Sequence, residues 1–267
     1  MSNLVFVLKE HKENWYRIRR LAVYDFIAPL RDTYLGMIWI VLNPLLQISV
    51  YWIVFGMGIR NGRPVDGHPF LLWMLAGLIP WFYIGSAISG GALCIYNKSQ
   101  MLTKMKFPSS IIPTYTTLTK LIETIPTIGI LFIVYAFYGY KINLYSIQII
   151  YYFFSVTILI IGLSLLNSAL VMAIRDINRI ITTIVRFLFY LTPILWVPSK
   201  GTSFINVIIK LNPFTYIIDG IRESLLYNKS FIENINGTIY FWGFTIIIFL
   251  LGITVHMKLR NKFADMI

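Results

Sequence analysis

INLYSIQIIYYFFSVTILIIGLSLLNSALVMAI, residues 142–174, contains no Asp, Glu, Lys or Arg, and Lys141 and Arg175 close it at either end. A helix needs ~20 apolar residues to cross the hydrocarbon core of a bilayer, and this run is longer. Three more charge-free runs occupy 33–59, 67–97 and 234–257. Two further apolar stretches hold embedded charges: 107–140 carries Lys120 and Glu123, and 177–197 carries Arg179 and Arg186. Hydrocarbon forces the backbone to satisfy its own hydrogen bonds, so such runs cross as helices. The pattern predicts an all-α polytopic membrane protein with six transmembrane helices, at about 35–57, 70–93, 111–138, 146–174, 178–197 and 237–257.

Composition agrees. Of 267 residues, 13% are charged and 57% hydrophobic, and the mean hydropathy is +0.72; a soluble domain carries about 25% charged residues. The net charge of +12 would suit nucleic acid, but the basic residues sit at span ends, so topology explains them and no nucleic acid is expected. Cys94 stands alone in an apolar run, which leaves no intrachain disulfide and no cysteine metal site. The charged first 34 residues and the length of the first apolar run do not suit a cleaved signal peptide.

Lys and Arg crowd alternate gaps. The amino-terminal segment holds Lys9, Lys12, Arg17, Arg19, Arg20 and Arg31; the second gap Lys98, Lys104 and Lys106; the fourth Arg175 and Arg179; the tail Lys258, Arg260 and Lys262. The intervening gaps are poorer or balanced by acids. The positive-inside rule then places both termini in the cytoplasm.

Residues 14–30 have the pattern of an interfacial helix, with Trp15, Ile18, Ala22 and Phe26 on one side and Arg17, Arg20 and Tyr24 opposite. Arg19 intrudes on the apolar side, and Pro29 is expected to end the helix. A membrane anchor and a role in lipid access both fit. The gap from Asn97 to Pro108 has room for a short helix whose Lys98, Met101, Leu102 and Met105 share a face, with apolar contacts offered outward to a docking partner. Lys120 and Glu123 share a helix face and neutralise each other or face a conduit. Arg175, Arg179 and Arg186 fall within about 40° on a helical projection, as snorkelling anchors or as a track for phosphate groups. Trp73, Trp81, Phe82 and Tyr83 crowd the outer half of the second span, as an aromatic belt or a conduit lining. Asn212-Pro213 splits the stretch 203–228 into two pieces too short to cross, which predicts a re-entrant helix pair before the last span.

Several chemistries have no residues to perform them. No G-x-x-x-x-G-K-[ST] phosphate loop occurs, so the chain is not expected to hydrolyse ATP or to be an enzyme in its own right. His11, His68 and His256 are scattered over a tail, a loop and a span end, and no catalytic or metal residue is assigned. The D-x-D of a metal-dependent glycosyltransferase is absent, and no internal repeat marks a secondary transporter.

Tyr34-Leu-Gly-Met-Ile-Trp39, Asn43-Pro44-Leu45, Gly77-Leu-Ile-Pro-Trp-Phe82, Lys104-Met-Lys-Phe-Pro108, Arg175-Asp-Ile177, Thr192-Pro-Ile-Leu-Trp196 and Asn212-Pro213-Phe214 follow one another along the chain. In this order and architecture the sequence resembles the ABC-2 type permeases that export lipid-linked polysaccharides. Within them, Tyr51-Trp-Ile-Val-Phe-Gly-Met-Gly-Ile-Arg60 with Gly62-Arg-Pro-Val65 is most similar to the wall teichoic acid translocation permeases of Gram-positive bacteria. The resemblance implies a homodimer joined to two copies of a separate P-loop ATPase that holds ATP and Mg, with no cofactor on this chain. It makes 97–108, with Asn97, Lys98, Met101, Leu102, Lys104, Met105, Lys106 and Phe107, the ATPase-coupling loop. It makes 1–34, with Trp15, Arg17, Ile18, Arg20 and Phe26, a cytoplasmic gate-helix segment preceding a transmembrane domain at 35–267. The implied substrate is undecaprenyl-diphosphate-linked wall teichoic acid, an anionic polymer carried from the cytoplasmic to the outer side of the bacterial plasma membrane. O-antigen and capsule permeases share this scaffold and are the alternative. An ABC-2 permease for drugs or small lipids is a close rival that differs mainly in substrate, and a secondary transporter and a membrane glycosyltransferase rank below these.

Overall fold

The computed structural model describes residues 3–31, 34–104, 107–198 and 204–263, the side chains of 103 and 104 excepted. Every regular element among them is helical: α1 (Asn3–Glu13), α2 (Trp15–Arg31), α3 (Ile38–Tyr51), α4 (Phe70–Asn97), α5 (Ser99–Lys104), α6 (Ile111–Phe137), α7 (Gln148–Ala173), α8 (Ile177–Leu191), α9 (Phe204–Leu211), α10 (Pro213–Leu226) and α11 (Ile235–Leu259). α3 continues as a wider π-turn segment over Trp52–Ile59.

Five helical stretches are long and apolar enough to cross a membrane: Ile38–Ile59, Phe70–Asn97, Ile111–Phe137, Leu144–Ala173 and Phe231–Lys262. The pair Phe204–Leu211 and Pro213–Leu226 bends by 86° at its break. Asn212 causes that break: the residue before a proline avoids helical geometry, and its side chain caps the Phe214 N–H at 3.0 Å. The pair's partners all belong to one end of the bundle. Asn212 donates to Thr192 at 2.8 Å, Tyr216 meets Thr238 at 2.8 Å, and the Leu225 carbonyl accepts from Tyr135 at 2.6 Å. The two helices therefore enter and return on the same side.

α8 has only 15 residues, about 22 Å of helix, which is short of the ~30 Å core. It nevertheless reaches from one end of the bundle to the other. Arg175, just before it, lies over the Tyr96 ring at 4.9 Å. The Pro193 and Ile194 carbonyls, just after it, accept from Arg222, which also covers Trp73. Trp73 and Tyr96 are separated by about 34 Å along α4. The extended Thr192 at its C-terminal end and the long side chains of Arg175 and Arg222 make up the length the helix lacks, so the predicted fifth span is a shorter helix, not a 178–197 rod.

α4 and α7 are the central layer. α4 packs against α6, α7, α8 and α10, and α7 packs against α11 as well. Gly162 and Gly252 bring α7 and α11 together: a Cβ on Gly252 would collide with the Gly162 carbonyl. Small residues at such crossings let membrane helices approach closely. α3 stays at the periphery, with Ile48 and Gly56 its buried residues.

Candidate functional site

The basic residues gather at the end of the bundle where α2 and α5 lie, hereafter the basic end. There Ile18 and Ala22 of α2 are buried with Cys94 and Ile95 of α4 and Ile111 and Tyr115 of α6. Thr119 of α6 also donates to the Ala22 carbonyl at 3.2 Å. α2 is thus pinned to the bundle by one face and bare on the other. Arg17 and Arg20 lie on the bare face, Arg20 over the Tyr16 ring at 5.5 Å, and Trp15 stays 52% exposed. Phe26 is half-buried. Pro29 does not stop the helix, which runs on to Arg31. Two residues from a helix end, proline disturbs only the last turn, so its cost is small there.

The segment after α4 forms the short helix α5, as its sequence predicts, but its residues face differently. Lys98 forms an ion pair with Asp25 of α2 at 2.9 Å. Leu102 and Phe107 pack against the buried cluster around Ile18. Leu102 therefore holds the loop to the bundle instead of offering an outward apolar contact. Met101 is half-buried and Asn97 exposed. The Lys104 side chain, Met105 and Lys106 lie outside the described residues.

A clamp that sequence patterns do not reveal joins α1 to this region. Glu10 accepts from Ser110 and from Arg260, the latter at 2.9 Å. Arg260 also lies over Phe6 at 5.2 Å. His11 donates through Nδ1 to the Val7 carbonyl at 2.8 Å, which leaves Nε2 to accept from Thr114 at 2.7 Å. Ser109 meets His256 at 3.1 Å. Burial lowers the His11 pKa below its ordinary value, against smaller raising effects from the Val7 carbonyl and Glu10. Two of the three histidines that look scattered in sequence thus converge, while His68 meets Tyr140; His11 and His256 share one polar layer. Its one foreshadowing is helical spacing, since Val7, His11 and Ile18 fall on a common face. Beside it lies a cavity of about 470 Å³ bordered by Arg17, Phe107 and Arg260. Among the described residues, no group of three or more His, Cys, Asp or Glu could hold a metal ion.

Further into the bundle, Lys120 and Glu123 form their own ion pair at 2.8 Å. Glu123 borders a cavity of about 360 Å³ with Asn43, Gln47, Phe82 and Ser86, between α2, α3, α4 and α6. Phe82 is the half-buried member of the aromatic quartet, and Trp73 borders a separate cavity of about 310 Å³ with Asp219 and Arg222. Trp73, Trp81 and Tyr83 are buried, Tyr83 hydrogen-bonded to Thr157 at 2.8 Å and Trp81 edge-on to Phe214. Arg175, Arg179 and Arg186 remain exposed along α8, and Arg179 reaches Asp176 only at 3.8 Å. At the opposite end Arg222 is 3% exposed. It donates to the carbonyls of Trp73, Pro193 and Ile194 at 3.2, 2.6 and 2.8 Å, with Asp219 at 3.4 Å.

Residues 16–226 match the ABC-2 type transporter family. The chain is 26% identical over 252 residues to an O-antigen export system permease protein RfbA of Klebsiella pneumoniae, covering 91% of this chain and 92% of that one. A second Klebsiella pneumoniae protein of that name is 26% identical over 246 residues, with the same coverage of both chains. The protein of that name from Myxococcus xanthus is 27% identical over 205 residues, 74% of this chain and 75% of its own. The matched region is a permease domain, and in this family the ATPase is a different domain that pairs with it. With its helical spans, its bent pair and a family match over most of its length, the chain belongs to the ABC-2 type transporters and is a membrane-spanning transporter subunit.

Proposed function

We propose that this subunit exports a lipid-linked polysaccharide of the O-antigen kind, as a homodimer driven by two copies of a P-loop ATPase. The observation that carries the proposal is similarity over 91% of the chain to permeases named for O-antigen export. The basic end is assigned to the cytoplasm by the positive-inside rule. There 97–108 serves as the ATPase-coupling loop and α2 as the gate helix. Lys98 ties the two together through Asp25, so a push on the loop moves α2. Arg175, Arg179 and Arg186 offer guanidinium groups to the diphosphate of the lipid carrier, which Arg binds in a bidentate geometry that Lys cannot reproduce. Phe82 borders the conduit, and bare α3 and α8 supply the face for the second copy.

A polyol-phosphate cargo, as in wall teichoic acid, is the second candidate. It is favoured by the stretch from Tyr51 to Val65, which resembles the permeases of that polymer.

ATPase stimulation of the reconstituted complex tests both. Undecaprenyl-diphosphate-linked O-glycan is expected to stimulate turnover, and Arg179→Lys with Arg186→Lys to reduce the stimulation several-fold without changing basal turnover or membrane abundance. Stimulation by lipid-linked polyol phosphate alone would select the second candidate. Full stimulation of the double variant would remove the arginines from substrate handling.

A further inference from the structure

We propose that the groove between α6 and α7 binds a phospholipid with an anionic headgroup, drawn from the leaflet at the basic end. One acyl chain lies in the groove, and Lys12 and Arg19 hold the phosphate at its mouth. This site is independent of the exported polymer.

The groove encloses about 750 Å³, and its wall exposes no polar surface. Leu118, Leu121 and Ile125 of α6 form one side, and Phe154 and Ile158 of α7 the other. At the basic end Trp15 closes it beside Thr114, whose hydroxyl is already engaged by His11. From Thr114 to Ile125 α6 rises about 17 Å, the depth of one leaflet of a ~30 Å core. An acyl chain entering at Trp15 therefore fits this half of the groove.

The mouth has a matching charge. Asn14 donates to the Glu10 carbonyl and Ile18 to the Asn14 carbonyl, so α1 passes into α2 through a single turn residue. Arg19 then lies one turn beyond Trp15 and about 40° from it on α2, and Lys12 lies three residues before Trp15 at the end of α1. Both are exposed, and neither has an ion pair among the described residues. The acids of these helices are committed elsewhere: Glu10 to Arg260, Glu13 to Lys9 and Asp25 to Lys98. Leu8 and Val23, on the same flank, are exposed apolar residues suited to the acyl–headgroup boundary. Arg19, out of place on the apolar side of a simple anchor, is well placed to hold a phosphate above a buried chain.

The test uses the full chain with its ATPase partner, purified, delipidated and titrated with phosphatidylglycerol or phosphatidylcholine of identical acyl chains, bound lipid being counted by native mass spectrometry. Phosphatidylglycerol is expected to be retained about tenfold more tightly, as two cations near an anionic headgroup provide. Lys12→Gln with Arg19→Gln should remove the preference; both sites are on the surface, so folding is not at stake. Ile158→Trp, or Leu121→Trp from the other wall, should expel both lipids. Brominated chains should quench the part of the fluorescence that Trp15→Phe removes. Equal retention of the two lipids, unchanged preference in the Gln variant, or no quenching at Trp15 would overturn the proposal. So would displacement by undecaprenyl phosphate at lower concentration, or a co-purified protein seated in the groove.

Discussion

Arg222 shows how the re-entrant pair is fastened to the bundle. Where a chain leaves its helix within a membrane, backbone carbonyls lose their partners, and each costs several kcal/mol in hydrocarbon. The guanidinium fork of α10 answers the Pro193 and Ile194 carbonyls just after α8 and reaches that of Trp73 in α4, while its face lies 3.5 Å from the Trp73 ring centroid. Arg222→Met would strand those carbonyls, and Arg222→Lys would keep the charge without the fork. Both are expected to destabilise the protein by about 3–5 kcal/mol, read as a lower thermal midpoint in detergent. Gly77→Ala should act through the same residue, because its Cβ would meet the Arg222 guanidinium at 2.5 Å. The sequence marks Arg222 only as a charge in an apolar stretch. Its carbonyl partners lie far away in the chain, so no local spacing could assign them. Trp73, equally, gives no sign in sequence of the arginine that covers its ring.

Among elements, the long spans were legible because hydrocarbon permits one backbone solution and length alone identifies it. The Asn212-Pro213 break was legible for the same local reason. Side-chain direction within the loop helix was not, since it depends on Asp25 and the Ile18 cluster, which other elements supply. The backbone contact between α7 and α11 predicts its own sensitivity. Gly252→Ala places a methyl against the Gly162 backbone, which cannot rotate away, so a loss of about 1–3 kcal/mol is expected. Gly243→Ala in the same helix meets nothing within 4 Å and should leave the thermal midpoint unchanged. The α1 clamp predicts a pH response. His11 has a folded pKa below 6.5, so above that value it is neutral whether α1 is docked or free, and the full docking stability is present. As pH falls below 6.5 the free helix takes up the proton first, and docking weakens. Hydrogen exchange of α1 between pH 7.5 and 5.5 should show this loosening, and His11→Gln should flatten it.

At the scale of the whole molecule, the contacts place both described ends of the chain on one side. Glu10 and Arg260 meet at 2.9 Å, and α8 carries the chain across despite its length. The even number of crossings expected from charge asymmetry and the positions of these contacts therefore agree. A chain ending at Leu259 would lose Arg260. Limited proteolysis is expected to cut such a chain within α1 while leaving the spans protected; an equally resistant α1 would show that the histidine layer alone suffices. The Glu10–Arg260 pair also bears on biosynthesis. Its partners are 250 positions apart, so the first helix emerges from the ribosome long before its last anchor exists. Until α11 is made, α1 is held through its α6 partners Ser110 and Thr114, so the arrival of Arg260 couples closure of the basic end to insertion of that helix.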